Sequence, residues 1–168
     1  MAALRLLRSL LCASLVLLGG GCTRAYLQNE GHYAFSSVEV LRDDCNLVST
    51  SESLWDGSLT IAGKVVYLDY ELMGMRLVGR FLDGSSSDDD AFLLDGSATN
   101  ASIDAPGGGA CLVNQVAIHL EGTTQCATGF AGVMRVRYEP QPERPDCACQ
   151  LWVRYEAVQN SARCATAP

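Results

Sequence analysis

The chain has 168 residues, and its 12 Lys and Arg against 19 Asp and Glu give a formal net charge of −7. This acidic balance argues against a nucleic acid or an anionic lipid surface as an electrostatic partner, because both attract clustered basic side chains. The length is sufficient for one domain with its own apolar core.

The first 21 residues have the layout of an export signal. Arg5 and Arg8 are followed by an apolar run from Leu10 to Leu18, and small residues then precede Cys22. The apolar run is far shorter than the roughly 20 residues that a membrane-spanning helix needs. The sequence therefore predicts an exported chain with a signal peptide at residues 1–21.

The end of this signal, Leu18-Gly19-Gly20-Gly21-Cys22, resembles the lipobox of a bacterial lipoprotein. The resemblance implies cleavage before Cys22 and lipidation of Cys22, so that acyl chains anchor the protein to a membrane without a spanning segment. It also implies outer-membrane attachment, because Thr23 stands where many lipoproteins retained at the inner membrane carry aspartate. The alternative is an ordinary secretory signal and a soluble periplasmic or secreted protein.

The mature chain is more acidic than the precursor. Removal of residues 1–21 takes away Arg5 and Arg8 and no acidic residue, so the formal charge changes from −7 to −9. We expect residues 22–31 to form a lipidated tether, residues 32–164 a single β domain held by disulfides, and residues 165–168 a C-terminal tail.

Apolar and polar residues alternate with a period of two along most of this domain, which is typical of half-buried strands. One polar face per strand indicates an antiparallel sheet, since strands of parallel sheets are apolar on both faces. One apolar face comprises Leu112, Val116, Ile118 and Leu120. The alternation predicts eight or nine strands, at approximately 33–41, 57–62, 65–71, 74–82, 91–95, 97–103, 111–121, 129–138 and 149–157.

Turn residues separate these strands at short intervals. Ala62-Gly63-Lys64 predicts a tight hairpin, and Asp95-Gly96 predicts a turn between two short strands. A change of phase near Ser36-Ser37 predicts a β-bulge. The short connections predict an all-β fold, an antiparallel up-and-down meander closed into a β-barrel, with a two-sheet sandwich as the alternative.

This layout resembles the small lipocalin-like (calycin) lipoproteins of the bacterial envelope, which begin with an aromatic strand and carry a cysteine near its end. Gly31-His32-Tyr33 to Asp44-Cys45 corresponds to that opening. An eight-stranded barrel is either filled by side chains or holds one small ligand. A filled interior is favoured by large residues on the predicted inward faces, namely Met75, Phe81, Phe130, Met134 and Tyr155.

The cysteines support export independently of the signal. Of the eight, Cys12 leaves with the signal and Cys22 is the expected lipid site, which leaves an even set that predicts three disulfides in an oxidising compartment. The set consists of Cys45, Cys111, Cys126, Cys147, Cys149 and Cys164. A zinc site is the less favoured alternative, because the single residue between Cys147 and Cys149 is a tighter spacing than zinc pairs usually have.

The strand map sorts these cysteines by position, since a strand of ten residues is about 30 Å long and a disulfide needs Cα atoms within about 7 Å. It places Cys126 and Cys164 at one end of the sheet and predicts that they pair. The other four lie at the opposite end. There we favour Cys45–Cys149 and Cys111–Cys147, and the exchange of partners within these two pairs stays open.

The sequence contains no recognised catalytic arrangement and predicts neither an enzyme nor a cofactor. His32 lies at the boundary of the expected tether and His119 on the polar face of a strand, with no acid or thiol predicted near either. The strongest metal candidate is a calcium site formed by Asp83, Asp88, Asp89 and Asp90. Leu94 stands where an EF-hand loop needs its twelfth-position glutamate, so a solvated acidic loop is the favoured interpretation.

Several arginines lie on the polar faces of the predicted strands, namely Arg76, Arg80, Arg135, Arg137 and Arg154. Cross-strand ion pairs with Glu139 and Glu156 are the favoured interpretation. The functional alternative is a patch for an anionic partner such as a polysaccharide.

Three functions remain compatible with these patterns. The first is a non-enzymatic binding or structural lipoprotein, with a small apolar ligand as one possible cargo. The second is a protein-interaction module of the cell envelope that uses the loops around Trp55, Asp83–Asp90 and Pro140–Pro145. The third and least favoured is an enzyme without a recognisable motif.

Overall fold

The computed structural model describes residues 27–48, 54–82, 91–104, 109–159 and 164. The described chain is almost entirely β-structure, with one-turn 3₁₀ helices at Leu72–Gly74 and Pro145–Cys147. Its strands are β1 (Gly31–Asp43), β2 (Gly57–Ala62), β3 (Val65–Tyr70), β4 (Met75–Phe81), β5 (Ala91–Asp104), β6 (Ala110–Cys126), β7 (Gly129–Pro140) and β8 (Cys149–Gln159).

The eight strands form one antiparallel meander, as the sequence predicts. Each strand pairs with the next, and β1 also pairs with β8, from Tyr33 opposite Gln159 to Asp43 opposite Leu151. This last pairing closes the sheet into a ring. We call the end at which β1 begins the lower end and the opposite end the upper end.

Inward side chains fill the ring with aromatic rings in mutual contact. The Phe130 ring centroid lies 5.0 Å from that of Tyr33 and 5.2 Å from that of Phe92. Phe35 lies 5.3 Å from Tyr70 and 5.2 Å from Tyr155. Edge-to-face and tilted contacts at such distances add to the free energy gained by burial. The five large residues predicted to face inward are all buried, which confirms that assignment.

The predicted turn at Asp95-Gly96 is wrong, because β5 runs unbroken through both residues and pairs with β6 along its length. Gly96 faces inward opposite Ile118. A Cβ atom there would collide with the Leu77 side chain and lie 2.9 Å from the Arg76 carbonyl oxygen. This glycine therefore permits close approach of β4 and β5, which explains why a turn signal lies within a strand.

Bulges set which side chains face inward. The register of β1 against β8 shifts between Ser37 and Glu39, which confirms the bulge predicted near Ser36-Ser37 and leaves Val38 exposed. A shift that the sequence does not predict lies between Val113 and Gln115 on β6. It reverses the phase of the start of β6, so Leu112 is 48% exposed rather than on the buried face of Ile118.

Disulfides join the strands at both ends of the ring. Cys45–Cys149 and Cys111–Cys147 lie at the upper end with Cα separations of 5.1 and 5.8 Å, and Cys126–Cys164 lies at the lower end at 5.7 Å. These are the pairs that the strand map favours. The closed loops restrict the unfolded chain, and each bridge contributes roughly 2–4 kcal/mol to the free energy of unfolding.

The lower end is closed by residues that precede β1. The Tyr33 hydroxyl donates to the Asn29 carbonyl oxygen at 2.7 Å, and the buried Gln28 amide donates to the Tyr33 hydroxyl. The backbone N–H of Asn29 donates to the Ala127 carbonyl oxygen at 2.8 Å. Packing thus begins at Gln28, inside the segment expected to be tether, and His32 belongs to β1. The described helices include none long and apolar enough to cross a membrane.

Gly96→Ala tests the close approach of β4 and β5. The added methyl group has no space, so we expect the free energy of unfolding to fall by about 1–3 kcal/mol in urea denaturation. Ser97→Ala, on the exposed outer face of the same strand, is the matched control and should change stability by less than about 0.5 kcal/mol. Equal effects of the two substitutions would show that Gly96 has no packing role.

Buried tyrosines predict loss of stability at alkaline pH. Burial and, secondarily, the Asp43 carboxylate raise the pKa of Tyr138 from 10.0 to about 12, and burial raises the pKa of Tyr70 and Tyr155 further. Above pH 10 the folded chain thus holds more protons than the unfolded chain. Stability is complete below about pH 10 and falls as pH rises through 12 and beyond.

Circular dichroism and tyrosinate absorbance measured across this range should change together, because the buried rings ionise on unfolding. Tyr138→Phe should reduce the slope of stability against pH. Tyrosinate signals from all six tyrosines near pH 10 in a chain that remains folded would contradict the prediction.

Candidate functional site

The outer face of the ring carries one continuous row of polar and aromatic side chains across five strands. The register places Asp95 (β5) opposite His119 (β6), and His119 opposite Arg135 (β7). Arg135 lies opposite Trp152 (β8), and Trp152 opposite Arg42 (β1). Side chains of paired residues on one face are close enough to interact. The row is therefore a product of strand pairing and does not depend on a loop.

A cleft of about 630 Å³ opens along this row. It lies between the row and the next row toward the upper end, which contains Ser97, Ala117, Arg137 and Gln150. The depression exists because the side chains of Ser97 and Ala117 are small, and the larger side chains of both rows border it. We call it the outer-face cleft. A second hollow of about 200 Å³ adjoins it toward the upper end and shares Arg137 and Gln150.

Trp152 forms the aromatic border of the cleft. Trp152 is 38% exposed, so part of its large apolar indole lies at the surface. The Arg135 guanidinium carbon lies 5.4 Å from the indole centroid, and that of Arg42 lies 5.9 Å from it. These cation–π contacts hold the indole on the surface between two arginines from neighbouring strands.

His119 has carboxylates on both sides, contrary to the expectation that no acid lies near it. Its Nδ1 is 2.7 Å from Asp95 Oδ1, and its Nε2 is 3.5 Å from Glu121 Oε1. The error follows from the wrong turn at Asp95-Gly96, which removed Asp95 from the strand beside β6. Pairing the predicted strands as a single long hairpin would have aligned the two residues. His32 likewise has an acid nearby, with its Nε2 3.2 Å from Asp56 Oδ2.

The cleft arginines form ion pairs with acids at its edge. Arg135 Nη2 lies 3.3 Å from Glu121 Oε1, and Arg137 Nη2 lies 3.2 Å from Glu139 Oε1. Both pairs are solvent-exposed, and such pairs contribute at most about 1 kcal/mol. Glu139 pairs with Arg137 of its own strand, so the cross-strand ion pair predicted for Glu139 is wrong. Arg154 pairs with Glu39 at 3.4 Å, and Arg76 donates two hydrogen bonds to Asp69 at 2.6 and 2.8 Å.

A more apolar depression of about 590 Å³ lies on the outer face toward the lower end. Val38, Ala131 and Val133 border it together with Arg154 and Glu156. The β1 bulge exposes 66% of Val38, and the nearby Val40 and Leu41 are each 42% exposed. The outer face thus has two chemically different areas, one polar and aromatic and one largely aliphatic.

The structure does not bring the other candidate residues into a site. Cys22 and the calcium candidates Asp83, Asp88, Asp89 and Asp90 lie outside the described residues. Trp55, expected in a contact loop, packs against Tyr70 with a centroid distance of 6.4 Å. Within the described ranges, no group of three or more His, Cys, Asp or Glu side chains has an arrangement that could hold a metal ion.

Comparison with known proteins gives no relative from which a role could be transferred. The chain matches no protein-family model, no curated protein and no solved structure. The function of the protein must therefore be inferred from the chemistry of the outer-face cleft and of the chain termini.

Proposed function

We propose that this protein is an exported lipoprotein, anchored through Cys22 to a bacterial outer membrane, whose β-barrel binds an envelope component on its outer face and catalyses no reaction. The observation that carries the proposal is the contrast between the two sides of the sheet. Aromatic side chains fill the inside, whereas the outside has a cleft bordered by an exposed indole and several hydrogen-bonding groups.

The filled interior argues against a cargo held between the strands. Seven of the largest fully buried side chains are aromatic, and they include Phe35, Phe92 and Phe130 near the centre of the contact network. Ligand sites combine an apolar surface with a few polar groups that orient the ligand. The outer-face cleft has this combination, which makes it the favoured binding site.

The termini and the disulfides support export and anchoring. Three disulfides suit an oxidising compartment such as the periplasm, and the lipobox-like segment supplies the export signal. The five residue-to-residue steps from Cys22 to Leu27 span at most about 18 Å when extended. A lipid on Cys22 would therefore hold the lower end of the barrel close to the membrane surface.

The geometry at His119 favours binding over catalysis. A histidine that acts as a general base needs one ring nitrogen facing the group that it deprotonates. Asp95 occupies the Nδ1 side of His119, and Glu121 faces Nε2 at 3.5 Å. Both nitrogens thus face carboxylates.

Interaction with an envelope protein is the second candidate. It is favoured by the aliphatic area around Val38, Val40 and Leu41 on β1, because exposed apolar side chains that lie together often mark protein contacts. The two functions are compatible, since none of these three residues borders the outer-face cleft.

Metabolic labelling with a fatty acid tests the anchor. The wild-type precursor expressed in a bacterium should incorporate label and fractionate with the outer membrane. Cys22→Ser should lose the label and leave the membrane fraction, because the thiol that carries the lipid is absent. Cys12→Ser, within the predicted signal, is the matched control and should label as the wild type does. Equal labelling of Cys22→Ser would rule out the proposed anchor.

Titration with cis-parinaric acid, a fluorescent fatty acid, tests the filled interior. We expect no saturable binding by the folded protein, because aromatic side chains fill the interior of the described part of the barrel. Displaceable one-to-one binding, with laurate as the competitor, would instead indicate an apolar cargo inside the barrel.

A further inference from the structure

We propose that the outer-face cleft binds an acidic carbohydrate, with the sugar carboxylate held by Arg135 and Arg137 and a sugar ring placed against Trp152. This inference rests on the proposed binding function and specifies its ligand class. It follows from the dimensions of the cleft, the distribution of charge and the exposed indole.

The dimensions suit a short saccharide. The cleft crosses from β5 to β8, which is three strand spacings or about 15 Å. Its volume of about 630 Å³ falls within the range of small-molecule sites. The floor at Ser97 and Ala117 is shallow and open at the surface, so a chain of sugars can lie across the strands and extend beyond both borders.

Two arginines line the cleft although the whole protein is acidic. The mature chain has a formal charge of −9, the value of −7 less the two arginines of the signal. Arg135 and Arg137 border the cleft with Asp95 as the one acid among the bordering residues, while their ion-pair partners Glu121 and Glu139 lie at its edge. The guanidinium groups favour an anionic group at this place, whereas the overall charge of the protein disfavours a large polyanion elsewhere on the surface.

The two arginines can accept a ligand carboxylate while they keep their present partners. Each guanidinium has five N–H donors, and the ion pairs with Glu121 and Glu139 involve Nη2. The planar guanidinium fork matches a carboxylate, and a charge-assisted hydrogen bond is stronger than one between neutral groups. Arg135 and Arg137 lie on one face of β7 two residues apart, so both can approach the same ligand.

Trp152 and the polar border explain why the ligand is a sugar and not a simple organic acid. One face of a pyranose ring consists of C–H groups, which pack against an exposed indole, while its hydroxyls extend toward the sides. His119, Asp95 and Gln150 border the same cleft and together provide hydrogen-bond donors and acceptors for such hydroxyls. The hydrocarbon chain of a fatty acid has no hydroxyls to match this polar border, and covering polar groups with hydrocarbon costs free energy because they lose contacts with water.

Isothermal titration calorimetry tests this ligand class with the lipidated full chain in detergent. The probes are oligomers of galacturonate, mannuronate and guluronate, each compared with its carboxyl-reduced, neutral counterpart. At least one acidic oligomer should bind saturably. The affinity for its neutral counterpart should be at least about tenfold lower, as expected for loss of one charge-assisted contact.

Substitutions identify the site. Arg137→Gln should weaken binding of the acidic oligomer about tenfold and leave binding of the neutral one nearly unchanged. Trp152→Leu should weaken binding of both. The matched control is Arg76→Gln, which removes an arginine that is likewise ion-paired and lies 6.0 Å from an aromatic ring, that of Tyr67, outside the cleft lining. Circular dichroism verifies that each variant is folded.

Absence of binding by every acidic oligomer, equal affinity for acidic and neutral oligomers, or equal effects of Arg76→Gln and Arg137→Gln would each overturn the proposal. These outcomes concern only the ligand class. Failure of the anchored binding function is detected separately, by labelling of Cys22→Ser or by uptake of cis-parinaric acid.

Discussion

The pairing of β1 with β8 is the constraint on which the rest of the molecule depends. These strands are the first and the last of the meander, and without their hydrogen bonds the sheet would have two unpaired edges and an interior open to water. The pairing runs through two shifts of register on β1, so the strand bends to meet β8 without losing contact. Closure makes the inside of the sheet a core, and it leaves the outside of the described strands as a large surface on which side chains can meet a partner.

Closure also determines where a site can form. Because aromatic rings fill the interior, the alternate residues of each strand, which face outward, carry whatever binding capacity the fold has. The register then aligns Asp95, His119, Arg135 and Trp152 although they lie on four different strands. Polar residues with no evident relation along the chain thus become neighbours through backbone pairing. Small residues in the adjacent row provide the space beside them.

The sequence predicts much of this architecture because alternation of apolar and polar residues directly reflects which face of a strand is buried. Most strand positions, the Gly63 hairpin and the Val38 bulge follow from it. The failures arise where tertiary packing overrides a local signal. Close contact with β4, and not a turn, requires glycine at position 96. Leu112 lies on the opposite face from the predicted one because of a bulge that no residue type in the sequence indicates. The wrongly predicted turn at Asp95-Gly96 concealed the Asp95–His119 pair, because the two residues align only when β5 is one continuous strand beside β6.

The covalent link between the two closing strands has a mechanical consequence. If Cys22 carries the proposed lipid, a pull on it would enter the fold at the lower end of β1 and act along the strand, perpendicular to the hydrogen bonds on both of its sides. Such a load would shear many bonds at once instead of opening them one by one. Cys45, just beyond the upper end of β1, is bonded to Cys149 at the start of β8. Even with its hydrogen bonds sheared, β1 would remain fastened at its far end, so this disulfide would keep an anchored domain connected under tension.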